Sequence, residues 1–195
     1  MRLICAVFIL LLVVMTSAQC QQTAEDWFNK GLDLHDQGKY DEAIDAFDKA
    51  IALSSSANAA VAWISKGQAL EELGKHNEAF QAYDKAIELD PKLAEAWYCK
   101  GELLNLQGRY SEAMEIIDNA IELKPQFAKA LFVKGAILYS QGKYEEALKA
   151  NDKAIEINPN FAAAWNNNAT ILEALGRTTE ANAAYAKAKE LGYSG

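Results

Sequence analysis

The stretch Gly38–Ile51 reads GKYDEAIDAFDKAI, and it decides the fold. It returns as GKHNEAFQAYDKAI over Gly74–Ile87, as GRYSEAMEIIDNAI over Gly108–Ile121 and as GKYEEALKANDKAI over Gly142–Ile155. A diverged copy, GRTTEANAAYAKAK, spans Gly176–Lys189. The copies start 36, 34, 34 and 34 residues apart. Self-similarity at such a period marks a stacked repeat, in which each unit buries its apolar face only against its neighbours.

Counted from the first alanine of each unit, the chain divides into 24–57, 60–93, 94–127, 128–161 and 162–195, with Asn58 and Ala59 as extra residues in the first gap. Position 4 is Trp27, Trp63, Trp97, Leu131 and Trp165, and position 8 is Gly31, Gly67, Gly101, Gly135 and Ala169. Position 15 is glycine in every unit, and positions 20 and 27 are always alanine, from Ala43 and Ala50 to Ala181 and Ala188. Position 32 is proline in the middle units only: Pro91, Pro125 and Pro159. Apolar residues at positions 4, 8 and 11 form one stripe of a helical period. Small residues at positions 8 and 20 let two helices approach closely, and glycine at position 15 can take the left-handed conformation that ends a helix. Proline at position 32 cannot continue the second helix. The first unit reads LSSSANAA where others read ELDPKLA, which predicts a looser joint between units one and two.

These residues at these offsets resemble the tetratricopeptide repeat family over residues 24–195. The resemblance implies an all-α solenoid of five helix-turn-helix repeats wound into a right-handed superhelix, whose first helices line a hollow that holds a peptide.

The array has charged ends in the sequence. Positions 3 and 10 are Ala62 and Ala69, Ala96 and Leu103, Ala130 and Ile137, Ala164 and Ile171, but Asp26 and Asp33 in unit one. Positions 21 and 28 are apolar in four units and become Asn182 and Lys189 in the last. Burying Asp or Lys unpaired against a further unit would be costly, so the five units are expected to form a finished array.

Residues 1–18 differ in kind. Arg2 is followed by thirteen unbroken apolar residues, Leu3–Met15, and then by Thr16-Ser17-Ala18, a layout of signal-peptide type with a cleavage site after Ala18. The run reaches sixteen residues through Ala18, against about 20 for a spanning helix. Cleaved signal, retained membrane anchor and lipidation at Cys20 remain alternatives, and all three place the protein outside the cytoplasm, secreted, periplasmic or held on a membrane by this segment alone. Residues 19–23 form a linker. Cys99 reads as a small helix residue, too far from Cys20 for a disulfide.

Composition narrows the function. A formal net charge of −8 opposes nucleic-acid binding. The two histidines are His35 and His76, and His76 takes the place of Tyr40, Tyr110 and Tyr144. No Cys/His metal pattern and no phosphate loop stand out, so no enzyme activity, metal or cofactor is expected. Asn168-Ala169-Thr170 is a glycosylation sequon inside a predicted helix, where use is not expected.

The resemblance assigns positions 2, 5, 9 and 12 to the hollow. They carry an apolar ladder of Phe28, Leu32, Ile64, Tyr98, Phe132 and Tyr139, with Asn166 at its end. Glu71, Glu95, Glu102 and Glu173 are interspersed, with Lys129 at one position 2. Aromatic anchors in a concave surface are typical of protein recognition. The apolar residues at position 5 can equally be apolar because they pack against neighbouring helices. Position 5 is never lysine and position 9 never asparagine, so the clamp with which some family members hold acidic chaperone tails is not expected. The resulting expectation is a non-catalytic scaffold for a peptide or protein partner with basic and apolar residues. The alternatives are a self-associating subunit of an envelope assembly and a docking accessory of a membrane enzyme complex.

Overall fold

A computed structural model describes residues 22–194. The expected export segment, linker residues 19–21 and Cys20 lie outside the described residues. Among those described there are ten α-helices and no strand. They are α1 (Ala24–Asp36), α2 (Tyr40–Leu53), α3 (Ser56–Glu72), α4 (His76–Leu89), α5 (Ala94–Leu106), α6 (Tyr110–Leu123), α7 (Ala128–Ser140), α8 (Tyr144–Ile157), α9 (Ala162–Ala174) and α10 (Thr178–Glu190). No helix of the described residues is long and apolar enough to cross a membrane.

Each hairpin turn is made by one glycine. Gly38, Gly74, Gly108, Gly142 and Gly176 have φ between 71° and 75°. The amide after each glycine reaches back to a leucine carbonyl in the preceding helix, as in Lys39 N to Leu34 O at 2.9 Å and Lys143 N to Leu138 O at 2.9 Å. These bonds satisfy carbonyls that the helix end would otherwise leave free. The next helix starts two residues after the glycine and lies antiparallel against the first.

Close approach of the paired helices follows from glycine at position 8. A Cβ on Gly31 would lie 2.5 Å from the Phe47 ring, one on Gly67 2.4 Å from Tyr83, and one on Gly101 2.6 Å from Ile117. The large residue of the second helix thus sits directly on the first helix's backbone, and Phe47, Tyr83 and Ile117 are fully buried. Unit five has Ala169 instead, and its partner Tyr185 is half-buried. In unit four the partner is Asn151, also fully buried, which donates to Ala164 O at 2.7 Å and Asn168 Oδ1 at 3.3 Å. Asn168 in turn donates to Asp152 at 2.8 Å, so the sequon asparagine is buried and bonded.

Between units, helices contact only their near neighbours along the chain. Ala62, Ala96, Ala130 and Ala164 are buried there, as are Ala69, Leu103, Ile137 and Ile171. Asp26 and Asp33 at one end, and Asn182 and Lys189 at the other, are exposed. Asp26 has a further role: it closes a capping box with Thr23, its Oδ2 accepting from Thr23 N at 2.8 Å. A polar ladder runs across the joints. Lys66 pairs with Asp48 at 2.6 Å, Lys100 with Asp84 at 2.5 Å and Lys134 with Asp118 at 2.7 Å, and Asn168 with Asp152 continues it.

The first joint corrects one expectation. The sequence LSSSANAA predicts a loose connection, yet only Ser54 and Ser55 separate α2 from α3. The extra residues extend α3 to 17 residues, against 13 in α5, α7 and α9. Without proline, the chain re-enters helix one turn early. In two of the three later joints the proline carbonyl has a partner: Trp97 and Trp165 donate their indole N–H to Pro91 O and Pro159 O, each at 2.9 Å, while the Pro125 joint has Leu131 at that position.

Candidate functional site

The first helices of the five units, α1, α3, α5, α7 and α9, carry every residue assigned to the hollow. The structure treats these residues unequally. Ile64 is buried among Leu70, Tyr83 and Cys99 and offers almost no surface, so its place in the ladder is corrected to a core residue. Tyr98 packs on Phe127 with ring centroids 5.0 Å apart, and Phe132 on Phe161 at 5.1 Å. Tyr139 meets Tyr144 at 5.3 Å, and Phe28 meets Phe47 at 5.8 Å. These four rings are half-buried, each with one side committed to the array, while Leu32 is exposed and Asn166 half-buried.

The acidic residues also divide. Glu95 is engaged by Lys124 at 2.7 Å, which holds its carboxyl below the usual range. Glu173 accepts from Tyr185 Oη at 2.9 Å. Glu71 and Glu102 are brought together instead, in a cleft of about 280 Å³ whose walls include His35, Gln68, Tyr83 and Cys99. The Tyr83 hydroxyl donates to Glu71. Among the described residues, no lysine or arginine forms an ion pair with either acid.

The electrostatics of the cleft follow from burial of acids that, among the described residues, no lysine or arginine pairs with directly. Burial raises the Glu71 carboxyl above its usual range, against the hydrogen bond from Tyr83, and repulsion from Glu102 adds to the rise. The Tyr83 and Tyr98 phenols are held protonated, first by burial and then by the neighbouring acids. The Cys99 thiol is pushed up to about 12 by burial first and then by Glu102, so it is not a nucleophile at neutral pH. His35 Nε2 is buried with no hydrogen-bond partner among the described residues, and its ring stands edge-on to Tyr40 at 5.2 Å. No group of three His, Cys, Asp or Glu side chains among the described residues is placed to hold a metal ion. The cleft therefore offers acceptors and negative charge to a cationic donor from outside.

Sequence reasoning missed Tyr83 and Cys99 as cleft residues, whereas Gln68 and His35 stand at positions 9 and 12, which the resemblance assigns to the hollow. One signal was available for Tyr83: it stands at position 24, opposite glycine at position 8, where a ring must cross the first helix and emerge near position 12.

Family models described as tetratricopeptide repeat match residues 28–94, residues 128–161, and residues 82–115 together with 150–181. No curated protein sequence matches the chain. Among solved structures, a MamA protein is 27% identical with a TM-score of 0.68, over 83% of this chain and 93% of that one. YrrB, described as a TPR protein with an unusual peptide-binding site, is 23% identical with a TM-score of 0.64, over 92% of this chain and 91% of that one. The pilF protein of Pseudomonas aeruginosa is 21% identical with a TM-score of 0.80, over 88% of this chain and 78% of that one. At their identities the last two carry the fold alone.

Proposed function

Because this chain belongs to the tetratricopeptide-repeat family, we propose that it is a non-catalytic scaffold that holds a basic and apolar segment of another protein along its first helices. The observation that carries this reading is the pair Glu71 and Glu102, half-buried together and, among the described residues, ion-paired to no lysine or arginine. A lysine or arginine entering the cleft gains two acceptors and relieves their mutual repulsion. Tyr98, Phe132 and Tyr139 present their free sides beyond it, along the hollow of a right-handed superhelix. The rigid helices display these groups at fixed spacing, so ordering costs fall on the partner. YrrB, a likeness in fold, is described as having a peptide-binding site of its own, so the same architecture can carry one.

The proposed setting is outside the cytoplasm, with residues 1–18 as export signal or membrane tether and Cys20 as the lipid-bearing residue in the lipidated form. The mass of the mature N-terminus decides among these forms. The binding reading is tested by selecting a random dodecapeptide library on the immobilised chain and on Glu71→Gln/Glu102→Gln. The expected result is enrichment of Lys or Arg beside Leu or Phe, lost in the variant and weakened by salt. Enrichment of acidic peptides, or the same enrichment by the variant, overturns it.

Self-association is the second reading, favoured by opposite charges on the two end faces: Asp26 and Asp33 against Lys189. One feature weighs against it. The Lys–Asp ladder would not continue across such a joint, because unit five has Ala186 where the others have aspartate. Light scattering across a salt series separates the two, since a monomer at every ionic strength excludes the assembly.

A further inference from the structure

We infer that the first joint contains a specific receptor for one large apolar side chain, phenylalanine or leucine, carried next to a lysine or arginine on the partner. This deepens the proposed function and rests on it. The repeat supplies its own template. In units two to four the apolar residue at position 5 has a large apolar residue from the end of its own unit packed nearby. Leu93 packs against the cluster that contains Ile64, Phe127 against Tyr98, and Phe161 against Phe132. Each of these covering residues directly precedes the first alanine of the next unit.

Phe28 has no such cover among the described residues. The residue at position 34 of unit one is Ala57, and the residue directly before Ala60 is Ala59. Both lie within the extended α3, and neither is large enough to reach over a ring. In place of the missing side chain there is a cavity of about 270 Å³. Its apolar walls are Ala24, Phe28, Val61 and Ala62, and Glu25 and Asn58 also line it. Val61 is 42% exposed, a branched aliphatic side chain left facing solvent beside a half-buried ring.

The chemistry of the guest is therefore read from the chain. Where the same place is filled, it is filled by leucine once and phenylalanine twice. The exposed Glu25 carboxylate at the edge favours a cation on the residue flanking that side chain, and the protein's net charge of −8 acts in the same sense.

The test uses the full-length chain in lipid nanodiscs, with isotope-labelled alanine and valine methyl groups. The probes are three blocked dodecapeptides of glycine and serine with a central Lys-Phe-Lys, Lys-Ala-Lys or Glu-Phe-Glu. Lys-Phe-Lys is expected to shift the Val61 and Ala62 methyl resonances saturably, and the other two peptides to bind roughly tenfold or more weakly. Asn58→Phe, which builds the cover into the chain, is expected to abolish the Val61 response with an unchanged helical spectrum.

A silent Val61 with Lys-Phe-Lys, or an equal response to Lys-Ala-Lys, overturns the receptor. So does full binding by Asn58→Phe. A nuclear Overhauser contact between Val61 and residues 3–15 in the free chain overturns the partner assignment in favour of the chain's own N-terminal segment. Shifts at Ala136 near the central rungs with Val61 silent leave the broader binding function standing while this receptor falls.

Discussion

Replacing Gly67 with alanine tests the packing logic directly. In an unconstrained helix interior the change stabilises by roughly 0.5–1 kcal/mol, because glycine loses more backbone freedom on folding. At Gly67 the new methyl would lie 2.4 Å from Tyr83 Cε1 and 2.9 Å from Cδ1 and Cζ. Tyr83 is fully buried, and its hydroxyl is tied to Glu71. Overpacking of this kind costs about 1–3 kcal/mol, so the net expectation is a loss of about 1–2 kcal/mol. Gly135→Ala is the control at the same repeat position. Its nearest atoms are Ala147 O at 3.3 Å and Asn151 Cβ and Oδ1 at 3.4 Å, so a shift of a few tenths of an ångström accommodates the methyl. There clash and propensity should cancel to within about 0.5 kcal/mol. Urea unfolding followed by circular dichroism measures both, with the slope checked for constancy. A local consequence accompanies the loss in Gly67→Ala. Tyr83 should move outward, to the half-buried placement that Tyr185 has opposite Ala169. Glu71 then loses part of its burial, and its titration by carbon NMR moves down toward the ordinary glutamate range. If Gly67→Ala matches the parent in stability, or if Gly135→Ala loses as much as Gly67→Ala, ring-on-backbone packing is not what the glycine serves.

The raised Glu71 carboxyl means that the folded protein binds its proton more tightly than the unfolded chain. The stability associated with this group is therefore present at low pH and falls as pH rises from the ordinary glutamate range through the raised value. Glu71→Gln should remove that slope, and an unchanged stability–pH profile would refute it. Lys100→Met cuts one rung of the inter-unit ladder, where the lysine side chain is mostly buried but Asp84 is 39% exposed. A double-mutant cycle with Asp84→Asn should give a coupling of about 0.5–1 kcal/mol that shrinks with salt, and a salt-independent coupling would show that the charges are not its source. Trp97→Phe removes the indole donor to Pro91 O and should cost about 0.5–1.5 kcal/mol, whereas Trp63→Phe, with no proline carbonyl to meet, should cost less of this kind. Equal losses would remove the proline carbonyl from the account.

The parts of this fold that depend on period were open to reading from sequence. Glycine at position 15 and alanine at positions 20 and 27 occupy places where backbone conformation or helix contact excludes larger residues, so identity alone reveals the role. The polar ends were legible for the same reason: Asp33 stands where four other units place an apolar residue, and it is exposed. The hollow was legible only in outline. Position 5 is apolar in four units, but whether such a side chain faces solvent depends on a residue 29 places later in its unit, as Phe127 does for Tyr98 and Phe161 for Phe132. The four acids interspersed in the hollow are not equivalent. Lys124, distant from Glu95 in sequence and on a different connection, neutralises it, while nothing comparable reaches Glu71. The first joint was read from its missing proline as loose. Helix propensity of the serine–alanine–asparagine run, free of any breaker, extended α3 instead.

The rungs Lys66–Asp48, Lys100–Asp84 and Lys134–Asp118 repeat one handshake at successive joints. The middle hairpins are thereby interchangeable bricks. Excising residues 94–127 would bring Asp84 opposite Lys134, and Phe80 and Ile87 opposite Ala130 and Ile137, renewing the Lys–Asp rung over an apolar seam of the same kind. Copy number is thus a variable that duplication or deletion can tune without redesigning any seam, and with it the length of partner that can be spanned. The brick at the front is the exception: its seam is unique, and any lengthened or shortened descendant would keep it as the fixed point from which the rest is measured.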